Sequence, residues 1–190
     1  MVAVVLIVLV LVLIGVALVL LYNSLIRLRN ACNNSWALID VQLKRRSDLI
    51  PNLVATVKGY AAHERTTLEA VIQARRQVDS AQNIRDQEAS EGMLTQALGR
   101  LFALQEAYPN LKADKNFLSL QGQLATTENT IAYARQAYND AATRFNNAIQ
   151  TFPGVLLAGK GNFERRDLFA APASALEVPQ VDFTTSPLSP

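Results

Sequence analysis

The sequence predicts an all-α chain: an N-terminal transmembrane helix that continues into an antiparallel helical bundle of about four long helices. Three observations carry this. Val2 to Leu21 is an apolar run of Val, Leu, Ile and Ala interrupted only by Gly15. After it, Leu25, Leu28, Cys32, Trp36, Ile39 and Leu43 recur at spacings of three and four, one stripe of an α-helix. Much later, Phe117, Leu120, Leu124, Thr127, Ile131, Ala134, Tyr138, Ala141, Phe145, Ala148 and Phe152 hold the same rhythm over about five heptads, the seam that packs knobs into holes.

At 1.5 Å per residue the first run spans about 30 Å, the thickness of a hydrocarbon core. A cleaved signal peptide would bring a basic n-region, a shorter apolar core and a small-residue cleavage site. No Lys or Arg precedes this run, and Tyr22-Asn23-Ser24-Leu25 is no such site. An uncleaved anchor over residues 1–21 is therefore expected, with Tyr22 at the interface. Arg27, Arg29, Lys44, Arg45 and Arg46 all follow it. The positive-inside rule then sets the N-terminus outside and the following domain in the cytoplasm.

Residues 22–153 are expected to form the bundle. From Tyr22 to Arg46 there is no Pro or Gly, so the membrane helix is expected to run on unbroken. Trp36 and Cys32 lie on its stripe and read as core residues. At Ser47-Asp48-Leu49-Ile50-Pro51 the proline removes a backbone donor and biases Ile50 away from the α region, which predicts a tight helix–helix turn, with a continuous helix kinked at the proline as the alternative. Ser47 or Asp48 would cap the next helix and Asn52 would stabilise the turn. That second helix carries Leu53, Val57, Tyr60, Leu68, Val71 and Val78, with a gap in its stripe at Glu64. A polar connector is expected over 80–90. A third helix, from about Glu91 to Ala107, presents Leu94, Leu98 and Leu101 and stops at Tyr108-Pro109-Asn110. Pro153-Gly154 ends the last helix. Residues 154–170 form an irregular Gly- and aromatic-containing segment that would pack back on the bundle or touch the membrane or a partner. Residues 171–190, with Pro, Ser and Thr, are a poor candidate for order.

Composition excludes several functions. The net charge is +2 with basic and acidic residues interspersed, which gives no nucleic-acid footprint. One cysteine, Cys32, and one histidine, His63, are too few for a disulfide framework or a Cys/His metal cluster. The stretch Arg45 to Glu64 nevertheless has the residue types of an active site. Asp48, Asn52, Lys58, His63 and Glu64 are its candidate members. A di-iron bundle needs two Glu-x-x-His motifs, but the residue three before His63 is Tyr60. The second His of a zinc-protease motif is missing after His63-Glu64, and Gly59 is isolated rather than part of a phosphate loop. Adjacent residues on a helix point about 100° apart, so His63 and Glu64 do not converge. The bland reading gives His63 a surface or capping place and Glu64 a basic partner such as Arg135 or Lys58. No catalytic residue, metal or cofactor is expected.

Arg45-Arg46-Ser47-Asp48-Leu49-Ile50-Pro51-Asn52-Leu53-Val54, with Lys58-Gly59-Tyr60 and His63-Glu64, closely resembles the signature of LemA family proteins. So do Tyr22-Asn23-Ser24-Leu25 with Trp36, Glu128-Asn129, Ile131-Ala132, Arg135, Ala137-Tyr138-Asn139 and Thr151-Phe152-Pro153. The likeness covers about Tyr22 to Leu157. Family members carry a pattern near Gly-Phe-x-x-Arg after the last helix, from which Gly161-Asn162-Phe163-Glu164-Arg165-Arg166 departs. The resemblance implies a membrane-anchored antiparallel bundle of bacterial type and no particular reaction. Its relatives are associated with membranes, some with building organelles such as magnetosomes. Others resemble lipoproteins facing the periplasm, which makes a periplasmic domain the alternative orientation. The expectation is a non-enzymatic scaffold or interaction module, single-pass in a bacterial inner membrane. Its expected partners are the lipid bilayer, an unidentified protein and a second copy through Leu-rich faces, without nucleic acid. The alternative is a ligand-binding or enzymatic protein with its site around Asp48, Asn52, Lys58, His63 and Glu64.

Overall fold

A computed structural model describes residues 1–170. The expectation for 171–190 lies outside the described residues. Among the described residues six helices follow in order: α1 (Val2–Tyr60), α2 (Arg65–Ser80), α3 (Ile84–Ala107), the single turn α4 (Pro109–Lys112), α5 (Lys115–Gln150) and the single turn α6 (Val155–Ala158). The four long ones make the all-α antiparallel arrangement, and the apolar run is the first third of α1, outside any protein core.

α1 is continuous for 59 residues, about 88 Å. It passes straight through Pro51, so the expected turn at Ser47–Pro51 is wrong. A proline inside a helix costs about 3 kcal/mol. Against that, Ile50, Leu53, Val54 and Val57 are all buried on the same face, each stabilising by roughly 1.5–3 kcal/mol. The burial wins, and Pro51 itself points to solvent. Asp48 and Asn52 are consequently mid-helix residues rather than a cap and a turn stabiliser. Asp48 is exposed and pairs with Lys44, one turn back.

The real break falls at Ala61–Glu64. Tyr60 Oη donates to Asp114 Oδ2 at 2.9 Å and pins the end of α1. Glu64 sits at the N-cap of α2, where its Oε1 accepts from Tyr108 Oη at 3.1 Å. This corrects the pairing of Glu64 with Arg135 or Lys58. The polar connector shrinks to Ala81–Asn83. Asn83 caps α3 by accepting from the Asp86 amide at 2.9 Å, so the third helix starts seven residues before Glu91. Asn83 ends that connector because its side chain satisfies a first-turn amide that would otherwise be unpaired. Asp114 does the same for α5, accepting from the Phe117 amide at 2.8 Å.

α5 runs back along α1. Its seam is buried or half-buried from Phe117 to Ala148, while Phe152 lies beyond the helix and is exposed. Two apolar clusters result. The distal one joins Ile50 to Val57 with Leu68, Val71, Leu94, Leu101, Phe117 and Leu124. The membrane-proximal one joins Leu25, Cys32 and Ile39 with Ile131, Tyr138, Phe145, Phe163 and Phe169. In the proximal half the α2–α3 hairpin is replaced as a covering layer by the segment after α6.

Two asparagines hold that segment. The Asn146 side chain accepts from the Arg166 amide and donates to the Arg166 carbonyl, both at 2.8 Å. Asn139 does the same with Phe169 at 2.9 and 3.0 Å. Seven helical residues rise about 10.5 Å and three extended residues about 10 Å, so a heptad on α5 matches Arg166 to Phe169.

Candidate functional site

Two features of the described residues concentrate polar chemistry: a buried ionic layer and a cleft beside Trp36. Neither is built from the whole set of residues that the sequence singled out.

The ionic layer separates the two apolar clusters. Arg46, 1% exposed, follows Leu43 on the α1 stripe and precedes Ile50. Its Nη1 donates to Glu128 Oε1 and Oε2 at 3.0 and 3.1 Å. Its Nη2 lies 3.4 Å from Glu91 Oε2. Glu91, on α3, is also paired with Arg135, whose Cζ in turn sits 4.9 Å above the Phe169 ring. Two cations and two anions therefore neutralise one another across α1, α3 and α5. Such a group is tolerated in a core only when paired. Glu91 Oε1 and Arg46 Nε have no protein hydrogen bond, so the layer is not fully satisfied. Beside it, Arg75 Nε donates to Ser47 Oγ at 2.8 Å and Ser47 Oγ donates to Asp79 Oδ1 at 2.9 Å, tying α2 to α1.

The cleft lies where α1, the Ala81–Asn83 connector, α5 and the C-terminal segment meet. It has a volume of about 440 Å³ and is lined by Trp36, Tyr138, Asn33, Asn83 and Arg166, among others. A second hollow of about 370 Å³ on the other side of Trp36 reaches Asp40, Lys44 and Asp79. Trp36 is the floor of both. It stacks on Phe169 at 5.7 Å and 14°, and meets Tyr138 edge-on at 5.3 Å. Arg166 Nη2 donates to Asn33 Oδ1 at 3.0 Å on the rim. Burial pushes the Cys32 thiol up, so the one sulfur near the cleft is protonated and a poor nucleophile. Burial likewise raises the Asp40 carboxyl, against the opposing hydrogen bond from Trp36. An aromatic floor with a rim of amides and guanidinium groups can bind; it supplies no nucleophile–base pair.

The residues weighed from the sequence are spread along the chain. Arg45, Asp48, Pro51, Asn52, Lys58, Gly59, Tyr60 and His63 are all exposed, and Glu64 is half-buried. Asn52 borders a shallow groove with Thr56 and Gln123, away from His63 and Glu64. Arg46 alone among them is fully buried, in the layer between the two apolar clusters. Sequence reasoning missed its partner Glu91. Carrying the α3 stripe of Leu94, Leu98 and Leu101 one step back would have put Glu91 on the buried face.

These features define a class: a membrane-anchored helical protein whose bundle is a direct continuation of its apolar N-terminal helix. The model of the LemA family matches residues 35–183, and the chain belongs to that family. Protein LemA of Metamycoplasma hominis is 29% identical over 167 residues, covering 87% of this chain and 74% of that one. Magnetosome protein MamQ of Magnetospirillum gryphiswaldense is 25% identical over 178 residues, covering 80% of this chain. Magnetosome protein MamQ 2 of Paramagnetospirillum magneticum matches equally, at 25%. The chain spans 65% of the length of each magnetosome relative.

Proposed function

We propose that this chain is a non-enzymatic scaffold that presents a rigid helical bundle at a fixed height above a bacterial inner membrane. The observation that carries the reading is the unbroken α1. The same helix crosses the bilayer and reaches the far end of the bundle, about 57 Å beyond Tyr22, with no linker between anchor and domain. A tether that must let an enzyme swing toward substrate is normally a flexible connection. A continuous helix braced by α5 instead transmits position. Two relatives that carry the name magnetosome protein are consistent with assembly work at a membrane.

Photo-crosslinkers placed at Tyr133 and beside Trp36 in the full-length protein test the reading in cells. A specific protein adduct is expected at one of them. No adduct, together with an unchanged membrane on deletion of the gene, overturns it. The domain is proposed to face the cytoplasm, following the basic residues after the span. Cys32 is buried, which keeps background labelling low, and Tyr133 is 74% exposed. Labelling of a Tyr133→Cys variant by an impermeant thiol reagent on intact cells would place the domain outside.

A further inference from the structure

The pairing of α1 with α5 is antiparallel and keeps step: Arg46 meets Glu128 and Trp36 meets Tyr138. Each residue toward the membrane on α1 is thus matched by one toward the C-terminus on α5. Continued, this brings the end of α5 to the level of Tyr22, where α1 leaves the apolar span. Contacts beyond the helix agree. The Tyr22 and Phe163 rings lie 5.7 Å apart, and Leu157 and Ala158 pack against the cluster that contains Leu25 and Ile149.

The corner between α5 and α6 therefore faces the bilayer, and its outward side is apolar. Phe152 is 79% exposed, Leu156 60% and Val155 49%. Among other exposed large apolar residues of the bundle, Leu38 and Val41 lie one turn apart on α1, and Met93 and Tyr133 singly on α3 and α5, away from this end. Gly154 makes the corner tight: a Cβ there would run into the Ala148 carbonyl, so no larger residue lets the chain fold back so sharply. Charge fits as well. Residues 22–39 and 141–163 contain Arg27, Arg29, Arg144 and Lys160 and no Asp or Glu. Arg29 rests over the Phe163 ring at 5.4 Å, at the same end of the bundle.

We propose that Phe152, Val155 and Leu156 form a second membrane contact, inserting into the interfacial zone of the same bilayer that α1 crosses. The flanking basic side chains meet anionic headgroups. The contact rests on the anchor reading and deepens it: one helix alone leaves the bundle free to tilt and spin, and a second point of attachment removes that freedom. Interfacial apolar groups of this kind enter about 5–10 Å, to the boundary between headgroups and acyl chains. They gain from basic neighbours on anionic surfaces.

The test uses the full-length chain in vesicles of three parts phosphatidylcholine to one part phosphatidylglycerol. An environment-sensitive nitrobenzoxadiazole label is placed on Phe152→Cys, Leu156→Cys, Tyr133→Cys or Leu11→Cys. Labelled wild type sets the Cys32 background, and circular dichroism verifies folding. Tyr133 lies about 25 Å back along α5 from its membrane end. Labels at 152 and 156 are expected to be blue-shifted. Lipid carrying a nitroxide near the top of its acyl chain should quench them several-fold more than the label at 133. An aqueous quencher should have the reverse order. Labels at 152 and 156 that match the one at 133 overturn the proposal. So does a blue shift without nitroxide quenching, which assigns the patch to protein. The label at 11, read with lipid carrying its nitroxide near the end of the acyl chain, separates the two readings: if it escapes that quencher, the anchor fails; if it is quenched and 152 is not quenched by the shallow one, only the second contact fails.

Discussion

Removing Arg46 while leaving its partners is the most direct test of how the bundle is held. Arg46→Met keeps the length and apolar stem but deletes a charge that is 1% exposed, and leaves Glu91, itself 5% exposed, with Arg135 alone. Breaking a buried pair from one side costs about 3–5 kcal/mol. Arg135 stays on Glu91 from the half-exposed flank, which places the expected loss at the lower end, about 3 kcal/mol. For a chain of this size each kcal/mol moves Tm by about 2–4 °C, so a fall of roughly 6–12 °C is expected. Glu128→Gln should cost about 1 kcal/mol or less, because the Glu128 side chain is 41% exposed and water can solvate what remains. Arg46→Met with Glu91→Leu removes both buried charges and should recover most of the loss, since apolar replacements of buried ion pairs are often neutral or better. The assay is thermal unfolding of the full-length protein in detergent micelles, followed by far-UV circular dichroism. If the double variant is no more stable than Arg46→Met, or Glu128→Gln costs as much as Arg46→Met, the reasoning from burial fails.

Three further outcomes follow from single contacts. Pro51→Ala restores a helix hydrogen bond in the middle of α1 and should stabilise by on the order of 1–3 kcal/mol; a loss of Tm would mean that the proline serves a bend the helix needs. Asp114 is held below the ordinary carboxylate range by the Phe117 amide and then by Tyr60. Its stabilising effect is complete above about pH 4 and is lost as pH falls through the depressed value. Asp114→Asn keeps the cap without the charge, so its Tm deficit should be visible at pH 7 and close on acidification; a deficit constant with pH refutes the assignment. Asn146→Ala deletes both hydrogen bonds to Arg166, each about 0.5–1.5 kcal/mol. Faster hydrogen exchange is expected over 163–170 with the α2–α3 hairpin unchanged, and a uniform increase across the bundle would contradict a local clamp.

Much of the architecture is readable because period-three-four stripes report burial directly. The α1 stripe and the α5 seam both appear in the structure, and Cys32 and Tyr138 lie where those stripes put them. Pro51 misleads because local backbone preference is weighed without the burial of Ile50, Leu53, Val54 and Val57, which exceeds it. The turn then moves to Ala61–Glu64, a place without a strong breaker, fixed by long-range bonds from Tyr60 and Tyr108 that no local window contains. The polar connector was overdrawn for a related reason. Gln87 and Ser90 look like loop residues, yet with Glu91 they are polar groups on the buried face of α3. The candidate site suffered most. Residue types drew attention to His63 and Glu64 in a turn, whereas the buried charge was Arg46, whose partners lie on two other helices.

The position of that ionic layer bears on what the molecule does. An apolar seam of Leu, Ile, Ala and aromatics can slide by a heptad at modest cost, since one apolar layer resembles the next. Arg46 and Glu91 cannot slide past their α5 partners Glu128 and Arg135: a shift of one turn would leave each of these two buried charges uncompensated, at several kcal/mol per group. The layer thus sets the register of α5 against α1, and α1 is the membrane helix. Fixing that register also fixes the height at which the α5–α6 corner returns toward the bilayer. Were the seam one heptad out, Phe152 and Leu156 would move about 10 Å along the α1 axis, comparable to the whole depth of an interfacial contact. The buried charges in the middle of the bundle and the exposed apolar corner at its base are in this sense coupled: the proposed second membrane contact depends on the register that the ionic layer sets.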